Sequence, residues 1–173
     1  PPKRPLTAHE RALAEADPKL RIALISKVYP MRSHTCAAEG GAAGVIKPDD
    51  SLEHHFNDTV GGGDWLCDQD AVEYLVQDAP KELIQLEHWG CVFSRNPDGR
   101  LDQRPFGAAG SPRTVYAADI TGHVLIQVLY EQLQKRMAEG MVVYEEFFAF
   151  RLVIDGGRCT GVISWDLMNG GVK

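Results

Sequence analysis

The stretch from Arg21 to Gly41, RIALISKVYPMRSHTCAAEGG, constrains the fold more than any other part of the chain. Ile22 to Ile25 is a short apolar run with the length and bounding of a buried strand. Ser26 to Thr35 is a polar connector carrying Lys27, Arg32 and His34, and the small-residue tail Cys36 to Gly41 ends in a glycine pair. Strand, basic connector and Gly-ended tail in that order suit a loop wrapped round an anionic cofactor, because backbone N–H groups and cationic side chains meet phosphate there. Upstream, Thr7 and Glu10 form a capping-box pair, Ala8 to Ala16 is rich in strong helix formers, and Asp17-Pro18 stops that helix. A helix leading into a buried strand is the second half of a βαβ unit. The expected class is therefore α/β.

A chain of 173 residues holds one domain with a real core and is short for two. A net charge of −6 gives no reason to expect a nucleic-acid partner, whose binding usually shows a basic patch or stripe. No run approaches the ~18 apolar residues needed to span a bilayer, and the first twenty residues lack the apolar core of a secretory signal. The expected location is the cytosol or a face exposed to it. Cys36, Cys67, Cys91 and Cys159 are scattered without a C-x-x-C pair. They read as small buried or half-buried residues in a reducing compartment rather than as a metal site, a disulfide framework or a nucleophile.

Further along, Pro48-Asp49-Asp50 punctuates a loop and Ser51 is the N-cap of a helix to Val60. His54 and His55 are adjacent, so they point to different faces of that helix, and a surface or packing role is expected for them. Gly61 to Trp65 reads as a flexible turn. Asp68 and Asp70 open the next helix, where negative charge favours the dipole; a carboxylate pair for acid–base work is the other reading. Pro80 is expected to start a separate helix running to Trp89 and closed by Gly90. Either Leu83, Leu86 and Trp89 or Ile84 and His88 face the core. Asn96-Pro97-Asp98-Gly99 marks a turn between two short extended segments. Thr121 to Ala138 carries Val124, Leu125, Val128, Leu129 and Leu133 along one helical stripe, with Asp119 and Thr121 as caps. From Met141 the period changes. Met141 to Ile154 and Cys159 to Leu167 are strand-like runs joined by Asp155-Gly156-Gly157, and Asn169-Gly170 turns again, giving a C-terminal antiparallel β-meander over 141–173.

The central stretch resembles the flavoprotein subunit of succinate dehydrogenases and fumarate reductases, whose run S-K-V-Y-P-x-R-S-H-T-x-A-A-x-G-G it matches almost residue for residue. Further blocks match along nearly the whole chain: the D-W-L-C-D-Q-D run from Asp64, R-P-F-G at Arg104 to Gly107, and R-T-x-x-A-A-D-x-T-G-H from Arg113 to His123. The resemblance implies a partial FAD/NAD(P)-binding, Rossmann-like domain. Residues 1–20 would form its tail and first helix, 21–140 the strand, cofactor loop and helices, and 141–173 the meander lying over that core. It implies FAD held covalently through His34, with Ser26, Lys27, Ser33, Thr35, Ala37, Ala38, Gly40 and Gly41 around it. Phe148 lies on the strand near Glu146 that meets the adenine end through its backbone. Phe106 is implied to face the flavin and the dicarboxylate. On residue type alone, His34 is also consistent with a loop histidine bonded to backbone, and Phe106 with a loop anchor packed into the core.

The implied activity is interconversion of succinate and fumarate, with electrons passed to an iron–sulfur subunit and membrane-anchor subunits, so that the chain sits peripherally on the inner face of the cell membrane. Two departures shape the alternatives. Pro1 to Arg11, where the family has its first glycine-rich FAD motif, contains no glycine, and the family's substrate and proton-delivery residues lie in domains with no counterpart here. No catalytic residue is therefore assigned. The alternatives are a catalytically silent fragment, a subunit completed by a partner, or a free-standing FAD- or nucleotide-binding module. An incomplete sheet would leave an exposed strand position that invites association.

Overall fold

A computed structural model of the chain describes residues 21–107 and 109–173; the expected N-terminal helix lies outside the described residues, as does Ala108. The described residues fall into two compact units, one made of 21–27 and 136–173, the other of 28–135.

In the first unit, the apolar run at 22–25 forms strand β1 (Ala23–Ser26), but not the buried strand expected: Ile22 and Ile25 are exposed, because among the described residues the strand pairs on one edge only. It pairs in parallel with Val142–Glu145, β5 in chain order, Ala23 opposite Val142 and Ser26 opposite Glu145. The run from Met141 to Ile154 is thus two strands. Glu146 divides it with a φ of +60°, a left-handed value that a strand interior does not accommodate. Beyond it, β6 (Phe147–Asp155) and β7 (Arg158–Asp166) form the antiparallel hairpin expected from the sequence. Gly156 and Gly157 turn it at φ +54° and +77°, values that glycine adopts without a Cβ penalty. The third leg of the meander shrinks to a bridge between Trp165 and Val172, with Lys173 and Ser164 exchanging backbone hydrogen bonds at 2.9 and 3.0 Å.

The second unit contains three two-residue strands in the order β2 (Ala42–Ala43), β4 (Thr114–Val115), β3 (Gln103–Arg104), all antiparallel. Around them lie α1 (Leu52–Gly62), α2 (Gln69–His88) and α3 (Thr121–Ala138). Ser51 caps α1 by accepting from His54 N, as its residue type implies, and Asp68 caps α2 by accepting from Ala71 N. The structural reading of Asp68 and Asp70 is the one that fits. One core cluster gathers Leu83, Cys91, Phe93, Leu101, Val115 and Val128; a second gathers Val60, Val72 and Val76.

Three sequence expectations change here. α1 runs on through Gly62, and the chain turns instead at Asp64 and Trp65, whose φ values are +50° and +64°. α2 is one helix of 20 residues with Pro80 inside it. Proline removes the N–H that would donate to Val76 and normally breaks a helix. Burial of Val72, Val76 and Leu83 on either side of it keeps the axis continuous. Thr121, expected as a cap for α3, instead turns its hydroxyl back to accept from Ala117 N at 3.0 Å.

A buried ion cluster ties this unit together. Arg113, 2% exposed, donates to both carboxylate oxygens of Asp50 at 2.7 and 2.9 Å and to Asp58 at 2.6 Å. Asp50 also accepts from Ser51 N and Asp58 from Gly110 N, so the carboxylates are well satisfied. His54 spans the pair, 3.3 Å from Asp50 and 3.5 Å from Asp58, while His55 is buried. His54 thus lies partly exposed on the ion cluster and His55 packs in the interior; among the described residues no group of three or more His, Cys, Asp or Glu side chains is placed to hold a metal ion. All four cysteines are free thiols, and burial followed by the Glu87 charge pushes the Cys91 thiol up to about 11.

Removing the guanidinium leaves two carboxylates without their counter-charge, which costs on the order of 3–5 kcal/mol. Arg113→Met is therefore expected to lower the unfolding free energy by that amount, read as a lower midpoint in an equilibrium urea titration. The pH dependence follows from the same cluster. Hydrogen bonds from Arg113 hold the Asp50 carboxyl down to about 2, below its ordinary 3.8. This contribution, about 2 kcal/mol, is complete above pH 4 and is lost as pH falls toward 2. His55 acts in the same direction at higher pH. Desolvation, aided by Arg113, lowers its pKa from 6.5, so acidification below that value favours the unfolded chain. Thermal melts from pH 7 to pH 3 should show stability declining first below about pH 6.5 and again below pH 4, the second decline being smaller in Asp50→Asn, where Asp58 and Asp166, whose carboxyls are also held below the ordinary value, still contribute.

Candidate functional site

The connector between β1 and β2 is built from short turns that close on themselves. Pro30–Arg32 and His34–Ala37 are single 3-10 turns, held by Arg32 N to Tyr29 O at 2.8 Å, Cys36 N to Ser33 O at 3.0 Å and Ala38 N to Thr35 O at 3.1 Å. These bonds satisfy part of the connector's backbone polar groups locally. Tyr29 adds an edge-to-face contact with Tyr130 on α3, ring centroids 5.5 Å apart. The side chains of His34, Thr35, Ala37 and Ala38 are exposed on this turn, and Ser33 is half-buried beside them. The Ser33 hydroxyl is inaccessible to solvent and has no hydrogen-bond partner.

Two further elements grip the segment. The first turn of α3 lies against it, with Gly122 N donating to Ala38 O at 2.7 Å. A Cβ on Gly122 would come within 1.8 Å of Thr35 O and 2.8 Å of Ala38. Farther on, the Arg104 guanidinium donates to the carbonyls of Glu39 and Gly40 at 3.1 and 2.8 Å. It stacks on the Tyr116 ring at 4.2 Å, and the Tyr116 hydroxyl donates to Asp102. That hydrogen bond raises the Tyr116 pKa, because the carboxylate favours the protonated phenol.

Phe106 leans on Gly40: a Cβ there would sit 2.6 Å from the ring edge. The ring stays 56% exposed, so it is not the core anchor its Pro-Phe-Gly setting allowed. Gly41 follows at φ +117°, with Thr114 and Val115 where a side chain would stand, and leads directly into β2. Of the residues singled out from sequence in this unit, the structure brings Ser33, His34, Thr35, Ala37 and Ala38 onto one turn and joins Gly40 to Phe106. Sequence reasoning missed Arg104 and Gly122. Both sit in blocks carrying the family resemblance, yet only packing reveals what they touch.

In the other unit, Lys27 and Phe148 also meet, the ammonium 5.0 Å from the ring centroid. Ser26 is the last residue of β1, opposite Glu145. The carbonyl of Glu146 accepts from Leu167 N, so this backbone oxygen is engaged within the fold.

The residues at 33–41 fit a flavin nucleotide. An exposed imidazole follows a buried hydroxyl with no partner, small side chains at Ala37 and Ala38 leave the surface open to a flat ring, and a half-exposed phenyl stands beside Gly40. Among the described residues no helix is long and apolar enough to cross a membrane.

Comparison with known proteins agrees. The family model described as FAD binding domain matches residues 10–173. The fumarate reductase flavoprotein subunit of Mycobacterium tuberculosis is 54% identical over 162 residues, covering 94% of this chain and 27% of that protein. The Escherichia coli fumarate reductase flavoprotein subunit is 47% identical over 165 residues, and the succinate dehydrogenase flavoprotein subunit of Rickettsia bellii 42% over 170. A solved E. coli quinol fumarate reductase chain superposes with a TM-score of 0.83 at 47% identity, over 93% of this chain and 27% of its own length. A flavocytochrome fumarate reductase in an open conformation, at 16% identity and a TM-score of 0.67, shares the fold. This chain spans about a quarter of the length of the relatives it matches. The chain belongs to the FAD-binding domain family, and it is similar to the N-terminal part of fumarate reductase and succinate dehydrogenase flavoprotein subunits.

Proposed function

We propose that this chain is the flavin-attachment portion of a fumarate reductase or succinate dehydrogenase flavoprotein, one partial FAD-binding domain over residues 1–173. The observation that carries the reading is an exposed His34 on a backbone-locked turn, next to a buried Ser33 hydroxyl that lacks a partner. When bound, FAD supplies two-electron redox chemistry between succinate and fumarate and an electron acceptor.

His34 is the covalent anchor. It would hold the flavin through a ring nitrogen, giving up that nitrogen's proton, and the flavin would supply the two-electron capacity that such an attachment draws on. Ser33 offers its unpartnered hydroxyl, and Thr35, Ala37 and Ala38 keep the surface next to His34 low enough for close approach. Gly40 and Gly41 let the chain turn into β2 without side chains in the way. Phe106 presents an apolar face for the dicarboxylate end and excludes water there. Within the unit of residues 21–27 and 136–173, Ser26, Lys27 and Phe148 serve as further FAD contacts, Lys27 through its positive charge. Substrate activation and proton delivery are assigned to no residue of this chain. The partners proposed for the polypeptide that carries it are an iron–sulfur subunit and membrane-anchor subunits. The location proposed is the cytoplasmic face of the cell membrane.

The polypeptide bearing these residues, purified and precipitated in acid, is expected to keep a flavin absorption band with the pellet. His34→Ala should release that flavin to the supernatant while native protein still carries bound FAD. A pellet from unaltered protein with no flavin band would overturn covalent attachment. Protein without any flavin before precipitation would overturn FAD binding as well.

A further inference from the structure

We infer that Gly122 and Arg104 are positioning residues for flavin attachment: they clamp the two ends of the His34–Gly40 segment and so fix how His34 is presented. The inference rests on the attachment reading of His34.

The segment has little else to define it. The side chains of His34, Thr35, Ala37 and Ala38 are exposed, and the turns within it are held only by single backbone hydrogen bonds. A turn of this kind frays on its own, because one hydrogen bond offsets little of the entropy of fixing three residues. Its path is set from outside, at two points. At the first, the backbone of α3 comes so close that only the absence of a side chain at position 122 permits it. The Cβ position lies 1.8 Å from Thr35 O, which is backbone and cannot swing aside, and the Gly122 N–H is spent on Ala38 O at 2.7 Å. At the second, one terminal nitrogen of Arg104 bridges two successive carbonyls, Glu39 and Gly40, and its plane is braced by Tyr116, which Asp102 orients in turn. Arginine suits this brace because its planar fork stacks and donates at once; lysine does not.

Glycine at 122 is not there for backbone freedom. It lies within the first turn of α3 and its φ is not among the left-handed values. Alanine is the better helix former at such a position. What excludes a side chain here is contact, and the contact is with the turn that carries His34.

Formation of the flavin bond needs the imidazole held near one geometry, and a displacement on the order of 1 Å can cost about a hundredfold in rate. The readout is therefore the fraction of protein-bound flavin that survives acid precipitation, at fixed time after FAD addition to apoprotein, with total bound FAD and the melting temperature measured alongside. Gly122→Ala is expected to lower the rate of covalent incorporation at least tenfold while total FAD binding stays within a few-fold of the unaltered protein. Arg104→Met, at a more accessible site, is expected to lower it by a smaller factor, with Arg104→Lys failing to rescue. Gly61→Ala, on a helix position with nothing within 4 Å, should change neither quantity. Should Gly122→Ala not fold, Arg104→Met alone decides. A folded variant that binds FAD and attaches it at the unaltered rate overturns the inference. Unaltered protein with no acid-stable flavin overturns instead the attachment reading beneath it.

Discussion

The Arg113 cluster is the interaction on which the unit of residues 28–135 depends. One guanidinium, almost wholly out of water, is held by Asp50 from the loop before α1 and by Asp58 from within α1. Arg113 itself precedes β4, the central strand of the small sheet. The cluster therefore fixes α1 against the strand that pairs on one side with β2 and on the other with β3. Through β2 it sets where Gly41 ends, and through β3 where Arg104 begins its reach. A pair of this kind adds little net stability compared with well-packed apolar residues, since desolvation offsets most of the attraction. Its effect is to make alternatives costly. Any register that separates Arg113 from Asp50 leaves charge buried without a partner, so the three short strands, too short to specify their own pairing, are held in one arrangement.

Close backbone approach is the second organising device, and it recurs at several glycines for one physical reason. At Gly40 a Cβ would strike Phe106, at Gly110 it would strike His54 of the ion cluster, and at Gly122 it would strike Thr35 O. None of these three needs a left-handed φ. Each marks a place where two chain segments meet at less than side-chain distance, and two of the three lie on the His34–Gly40 segment or directly against it. Loops whose geometry matters are commonly positioned by a rigid scaffold rather than by their own contacts. Here the scaffold touches the loop through backbone, which leaves the side chains of the turn free to face a ligand.

How much of this was legible in the sequence depends on the range of the forces involved. β1, α1 at its start and α3 over its full length were readable, because an apolar run, a capping serine and a 3.6-residue stripe are local signals. The hairpin was readable from paired glycines between β-rich runs. Pro80 was misread because helix breaking is a local preference and burial of Val76 and Leu83 on either side overrides it. The single strand expected from Met141 divides at Glu146, and nothing local about glutamate announces a left-handed conformation. For the candidate site, the run around His34 was legible through resemblance. The roles of Arg104 and Gly122 were not, because each acts on a partner about 65 or more residues away, and spacing along the chain carries no record of such contacts.

These observations bear on why such a segment uses a turn and not a helix or strand. A strand would commit the backbone of residues 34–38 to neighbours on both sides, and a helix would wrap its donors inward. The 3-10 turns close their own hydrogen bonds between residues three apart and leave the side-chain surface uncovered. The cost is a low intrinsic stability, which the grips at Thr35–Ala38 and Glu39–Gly40 offset from one side only. An uncovered turn with a rigid back and an open front is what a flat aromatic ligand needs if it is to be bonded at one atom while its ring lies against small side chains. The buried, unpartnered Ser33 hydroxyl then has a physical sense, since such a group costs about 1–3 kcal/mol when left without a partner, and a ligand polar atom at that place would recover much of it.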